Sequence, residues 1–169
     1  EIPLVVFPAT RMGKTIDPRY DDVDLSYIAG FFDGEGNVSM HMSSVETKRC
    51  GKRTYYRLQV SISNNRRDVL EWIQNTMDIG GTISEKWAGQ SKYYGYRLDY
   101  DSARAVRFIE LVLPFIKLKA HEAKIALEFN AKCIRPGGHH ITPEEQEYRE
   151  QLHTRLLELK TEKYIEKVV

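Results

Sequence analysis

"LSYIAGFFDGEGNVSM", residues Leu25 to Met40, changes from a helical reading to a strand reading within a few positions. The helix, capped by Asp24 or Ser26, runs to about Phe32. After Gly36, Val38, Met40 and Met42 alternate with Asn37, Ser39, His41 and Ser43, a period of two. Between the two stands Asp33-Gly34-Glu35-Gly36. A helix C-terminus carries partial negative charge and disfavours each acid there by roughly 0.3–1 kcal/mol. A divalent cation beside the turn would offset that cost, because Mg²⁺ takes one or two carboxylates together with phosphate oxygens. By spacing alone, an ordinary exposed acidic turn fits equally well. Gly30 and Gly34 are four apart and share a helix face. Glycine inside a helix costs about 1 kcal/mol relative to alanine, and the usual compensation is close approach of another backbone.

Working outward, Tyr56, Leu58, Val60 and Ile62 alternate with Arg53, Tyr55, Arg57, Gln59, Ser61 and Ser63 in a second strand. A loop carrying Lys48, Arg49 and Lys52 joins it to the first. Asn65 or Asp68 begins a second helix with Val69, Leu70, Ile73 and Met77 on one side, and Gly80-Gly81 ends it. Thr82 to Trp87 and Lys92 to Tyr100 form a second hairpin, with Tyr93, Arg97 and Asp99 on one face. Asp101 or Ser102 caps a third helix that Pro114 breaks, and a fourth runs to about Cys133. Thr142-Pro143-Glu144-Glu145 is a capping box that opens a charged terminal helix. The order α-ββ-α-ββ-α-α-α predicts an α+β fold, one curved four-stranded antiparallel sheet backed by helices. Its other face is polar and basic, shaped for a DNA major groove.

A chain of 169 residues predicts one domain, and its 41% hydrophobic residues suffice for a core. No apolar run reaches the ~20 residues needed to span a membrane, so no membrane partner is expected. Two isolated cysteines, Cys50 and Cys133, fit a reducing interior: archaeal or bacterial cytoplasm, or an organelle matrix or stroma. The net charge of +1 is uninformative, but its distribution is not. Seven Lys/Arg against one acid lie between Ser44 and Arg67, and six acids against one Arg between Asp17 and Glu35. A basic block beside an acidic one suits an anionic ligand and a cation.

"YIAGFFDGEG", Tyr27 to Gly36, resembles the signature of the LAGLIDADG homing endonucleases, and "LVLPFIKLKAHEA", Leu111 to Ala123, resembles their basic active-site segment. The resemblance spans about Leu25 to Cys133. It divides the chain into an N-terminal extension (1–23), an endonuclease core (24–133) and a C-terminal loop and helix (134–169). It implies a site-specific enzyme that hydrolyses both strands of a long, near-palindromic double-stranded DNA target. The products would carry short 3′ overhangs, and the gene would sit in a mobile intron. By the same resemblance Glu35 binds the catalytic Mg²⁺, with the Gly34 carbonyl nearby and Asp33 supporting the turn or the metal. The family more often has Asp at the position of Glu35. Mn²⁺ or Ca²⁺ would bind in place of Mg²⁺, Ca²⁺ without cleavage. Lys119 would stand near the scissile phosphate, Asn64 or Asn65 would position the water, and Arg66 or Arg67 would be a second basic residue. DNA contacts would come from Asn37, Ser39, His41, Lys48, Arg49, Lys52, Arg53, Tyr55, Arg57, Gln59, Ser61, Arg66, Lys86, Lys92 and Arg97. A single signature implies a homodimer packed through Tyr27, Ala29, Gly30, Phe31, Asp33 and Gly34. The alternative is a non-cleaving maturase of the same fold that binds RNA and assists splicing. A zinc protein built on Cys133, His139 and His140 is a third reading, whose spacing matches no known pattern.

Overall fold

The computed structural model of the chain describes residues 17–47, 51–87, 94–133 and 141–165. Its elements are α1 (Asp22–Glu35), β1 (Gly36–Thr47), β2 (Gly51–Asn64), α2 (Arg67–Met77), β3 (Thr82–Trp87), β4 (Tyr94–Asp101), α3 (Ala103–Val112), α4 (Ala120–Cys133) and α5 (Pro143–Ile165). The four strands form one antiparallel sheet in the order β1-β2-β4-β3, so the two hairpins meet through β2 and β4. Period two sorts its faces. Val38, Met40, Leu58, Val60, Ile62, Leu98 and Tyr100 are buried in the same core as Leu25, Ile28 and Phe32 of α1 and Leu70, Ile73 and Met77 of α2. Each such side chain contributes about 1.5–3 kcal/mol. The expected α+β architecture is the observed one.

Element ends differ from the sequence reading. Asp21, not Asp24 or Ser26, caps α1: its carboxylate accepts the Val23 N–H at 2.6 Å. Tyr20 fixes the chain's entry by donating its hydroxyl to the Met77 carbonyl at 2.9 Å. The boundary expected at residue 23 therefore falls inside a helix. At its other end α1 runs past Phe32 to Glu35, so both acids lie in its last turn. Gly36 closes it because a Cβ there would stand 2.0 Å from the Phe32 ring. Neither Asn65 nor Asp68 starts α2. Its N-cap is Arg66, whose N–H is taken by the Asn64 side chain at 2.9 Å. It ends at Met77 with Asp78 left-handed, before Gly80-Gly81. Gly81 serves packing instead, since a Cβ would meet the Tyr100 ring at 2.5 Å.

β4 pairs with β2 only from Gln59 to Asn64, so the outer part of the β1-β2 hairpin is a two-stranded arm. Met42, expected on the apolar face, is 59% exposed on that arm. Thr142 caps α5 as the expected capping box requires, accepting the Glu145 N–H at 3.2 Å, while the Glu145 carboxylate accepts from Arg149 at 2.7 Å. No helix among the described residues is long and apolar enough to cross a membrane.

Candidate active site and nucleic-acid interface

The last turn of α1 leaves its acids two residues apart, a spacing at which helical side chains do not face each other. Asp33 turns to the segment between α3 and α4. Its carboxylate accepts the backbone N–H of Lys117 at 2.8 Å and of Lys119 at 3.0 Å, one on each oxygen. The Lys119 ammonium returns to donate to the Asp33 carbonyl and lies 6.0 Å from the centre of the Phe32 ring. Positive charge thus meets the negative end of the helix. Asp33 is therefore compensated by protein groups. Glu35 is exposed and its side chain has no hydrogen bond or ion pair among the described residues. The Gly36 N–H takes the Phe32 carbonyl and Lys119 the Asp33 carbonyl. Gly34, whose carbonyl comes next in the series, is exposed.

The register carries Asn64 to the same end of the sheet. β1 and β2 begin pairing at Gly36 and Ile62, so Glu35 and the end of β2 lie side by side in sequence register. Asn64 uses its side-chain oxygen on Arg66, which leaves its amide nitrogen as the donor. Arg66 and Arg67 are engaged elsewhere: Arg66 with Asp68, and Arg67 with Glu71 at 2.7 Å and over the Tyr96 ring at 5.7 Å. The adjacent carboxylates raise both guanidinium pKa values further, so both stay cationic. No hydrogen bond or ion pair joins Arg67 to Glu35 among the described residues.

On α1, Tyr27, Gly30 and Gly34 are exposed, and ideal Cβ atoms built on Gly30 and Gly34 meet nothing within 4 Å among the described residues. The Tyr27 ring stacks on Phe31 and meets Trp72 of α2 edge-on at 5.3 Å. Ala29, expected on the same outward face, is instead 0% exposed, because its position on the helix faces the chain's own core.

The polar sheet face carries a network that sequence reading missed. The Gln59 side-chain oxygen accepts from Arg97 at 2.6 Å and lies 2.6 Å from His41 Nε2, and its amide nitrogen donates to Asp101 at 3.1 Å. Arg97 Nε donates to Asp99 at 2.7 Å, and Arg57 lies 3.8 Å from Asp101. Gln59 and Ser61, expected to touch DNA, are 7% and 6% exposed, because they sit on central strand β2 between flanking side chains. Asn37 binds Lys160 of α5 at 2.7 Å, and Ser39 leans on the Gln59 carbonyl at 3.5 Å. Tyr55 stays exposed. The side chains of Lys52, Arg53 and Lys86, and the whole of Lys48, Arg49 and Lys92, lie outside the described residues. So do the Cys133 side chain, His139 and His140 of the zinc reading.

A fit to Mg²⁺ can be tested on the donor set. No group of three or more His, Cys, Asp or Glu side chains that could hold a metal occurs among the described residues. A single exposed carboxylate, Glu35, with an exposed glycine beside it matches the sparse protein ligation that Mg²⁺ accepts when phosphate and water complete its shell.

A family model described as "LAGLIDADG endonuclease" matches residues 28–126. Curated proteins yield no match. Among solved structures, the homing endonuclease I-CvuI, in complex with the I-CreI target in 2 mM Mg with the DNA not cleaved, is 18% identical. It aligns over 81% of this chain and 82% of its own, with a TM-score of 0.66. The archaeal intron-encoded homing endonuclease I-Vdi141I, complexed with DNA, is 24% identical over 82% and 84% of the chains, TM-score 0.64. The meganuclease I-SmaMI bound to uncleaveable DNA matches over 79% of this chain but 45% of its own, at 21% identity and TM-score 0.56. At these identities the likeness is one of fold.

Proposed function

The chain belongs to the LAGLIDADG endonuclease family, and from that premise we propose that it is a homodimeric, metal-dependent homing endonuclease. It cuts both strands of a long, near two-fold DNA site and leaves short 3′ overhangs. The observation that carries this reading is the clamp at the end of α1. Asp33 and Lys119, 86 residues apart, are tied together beside Glu35, so an anchored ammonium and an uncompensated carboxylate share one end of the sheet. A structural acidic turn would need neither.

Two copies would pack their α1 helices through Tyr27, Gly30 and Gly34, placing two such ends near the DNA centre. A match to about half of I-SmaMI supports reading this chain as half of a two-site enzyme. Glu35 and the Gly34 carbonyl would hold Mg²⁺, which when bound supplies charge neutralisation and a more acidic water. The Asn64 amide nitrogen would hold the attacking water by its oxygen. Lys119 would stabilise charge developing on the phosphate, a local effect worth several kcal/mol in a water-poor site. The polar sheet face and its arm would lie in the major groove, which admits a two-stranded ribbon. The gene would interrupt its own recognition sequence as part of a mobile intron, in a reducing compartment.

The test is cleavage of duplex DNA made from the sequences flanking the coding element, with Mg²⁺ and with Ca²⁺, by the wild type and Glu35→Gln. We expect cutting by the wild type in Mg²⁺ alone, and DNA binding without cutting by the variant. Near wild-type cleavage by Glu35→Gln would make the acidic turn structural. Splicing-associated RNA binding without any DNA cleavage would select the maturase.

A further inference from the structure

We propose that Arg97 reads a guanine in each half-site, and that Gln59 and Asp99 are positioning residues that aim it. The inference rests on the DNA-cleaving reading above and goes beyond it by naming a base and the residues that select it.

A guanidinium has two edges. One is formed by the Nε hydrogen and a hydrogen of Nη2, the other by one hydrogen on each Nη nitrogen. Here Nε donates to Asp99 at 2.7 Å and Nη2 to Gln59 at 2.6 Å, so both nitrogens of the first edge are engaged. The second edge remains to be presented. The Arg97 side chain is 30% exposed and that of Asp99 19%, so the pair is half sunk in the sheet and still open on its outer side. Two hydrogen bonds to a planar fork fix its orientation, and side-chain entropy is already lost before DNA arrives.

Gln59 is held just as firmly. Its oxygen faces the Arg97 donor and its nitrogen the Asp101 acceptor, so flipping the amide would set a donor against Arg97 and an acceptor against a carboxylate. At 7% exposure on central strand β2, it directs Arg97 from inside the sheet.

Charge separates the two possible acceptors. A bidentate arginine suits a phosphate or the O6 and N7 of guanine. Around Arg97, two arginines, Arg57 and Arg97, face two carboxylates, Asp99 and Asp101. Such a patch is electrically balanced, and its acids repel a phosphate approaching Arg97. A guanine edge carries no net charge, offers paired acceptors and lies on the groove floor. The basic residues that suit phosphates cluster elsewhere, from Lys48 to Arg53.

The experiment selects binding sites from a randomised duplex library with the full-length protein and with Arg97→Lys, Gln59→Leu and Asp99→Asn, in Ca²⁺. The wild type should show a guanine preference at one symmetric pair of positions. Arg97→Lys keeps the charge but loses the fork. It should reduce that preference by about tenfold to a hundredfold while non-specific affinity and its salt dependence change little. Gln59→Leu and Asp99→Asn should relax the same position and no other, with a melting temperature near that of the wild type for Asp99→Asn. If Arg97→Lys weakens all sequences equally, or leaves every preference intact, Arg97 is not a base reader and the proposal falls while the endonuclease reading stands. If the wild type selects no DNA sequence at all, both fall.

Discussion

At the scale of single residues, the two acids of "DGEG" separate into different jobs. Asp33 accepts two backbone N–H groups, one per oxygen, and so holds the segment that carries Lys119. An amide has one acceptor oxygen, and its nitrogen would face a donor. We therefore expect Asp33→Asn to cost about 1.5 kcal/mol, the low end for a hydrogen bond to a charged group, since its partners are exposed or only partly buried. In a chain of this size that lowers Tm by a few degrees. Cleavage should fall at least about tenfold, because Lys119 loses one of its anchors, while DNA affinity stays close to the wild type. Thermal melting and single-turnover cleavage would check both, and an unchanged Tm with unchanged cleavage would remove the clamp from the mechanism. Glu35→Gln should do the reverse, ending cleavage with Tm unchanged or slightly higher. The sequence showed that the acids were costly where they stood, and the family resemblance implied a place for Lys119 near the scissile phosphate. It could not show which acid was compensated, because the compensating groups are main-chain amides that any residue types at 117 and 119 would supply.

At the scale of elements, alternation survived translation into structure better than boundaries did. Period two located both faces of β1 and β2, since it reflects geometry every strand must obey. It could not reveal that β4 stops at Gln59 and leaves Met42 on an arm, because strand length beyond a partner is a property of the sheet. Helix ends slipped for a related reason: Asp21, Asp22, Asp24 and Ser26 are all competent caps, and long-range ties of the entering chain, Tyr20 to the Met77 carbonyl and Asp17 to Arg107, favour one of them. The α1 glycines give a sharper test. Each costs about 1 kcal/mol in a helix, and the described residues place nothing within 4 Å of a Cβ at Gly30. No packing among the described residues demands that glycine. We expect Gly30→Leu to keep a native far-UV circular dichroism spectrum and to sediment as a monomer at concentrations where the wild type forms the proposed dimer. A Gly30→Leu dimer of wild-type affinity would place the two-fold contact on another face. An isolated monomer carrying Gly30→Ala should, by contrast, be more stable than wild-type monomer, since alanine restores helix propensity at no steric cost.

At the scale of the whole molecule, the terminal helix is part of the fold and reaches the strand that follows the proposed site. Residues 134–169 carried no motif, and a charged helix reads from sequence as an appendage. Its few apolar side chains nevertheless land well: Leu152 and Leu156 are 3% and 1% exposed, and the His153 ring lies 5.3 Å from that of Tyr56 on β2. Tyr148 hydrogen-bonds Glu128 of α4, whose carboxyl burial would push up but which Tyr148 and Lys132 hold below its ordinary range. So anchored, α5 extends Lys160 to the first turns of β1. There its ammonium donates to the Asn37 side chain at 2.7 Å and to the Val38 carbonyl. β1 is an edge strand, and its outward carbonyls need such partners or water. Asn37 stands two positions after Glu35, so this contact fixes the strand immediately beyond the proposed metal ligand. Lys160→Met keeps the stem's packing and removes the ammonium. Its cost in stability should be about 1 kcal/mol, the worth of an ordinary hydrogen bond, and a shift of roughly 2–4 °C in Tm. Its cost in single-turnover cleavage should be larger than its cost in DNA affinity, because the loosened root of β1 lets Glu35 leave its productive position while the distant arm still binds. If binding and cleavage fall together, Lys160 contributes charge toward DNA; if neither changes, the link from α5 to the active end of α1 carries no function, and α5 serves the core alone.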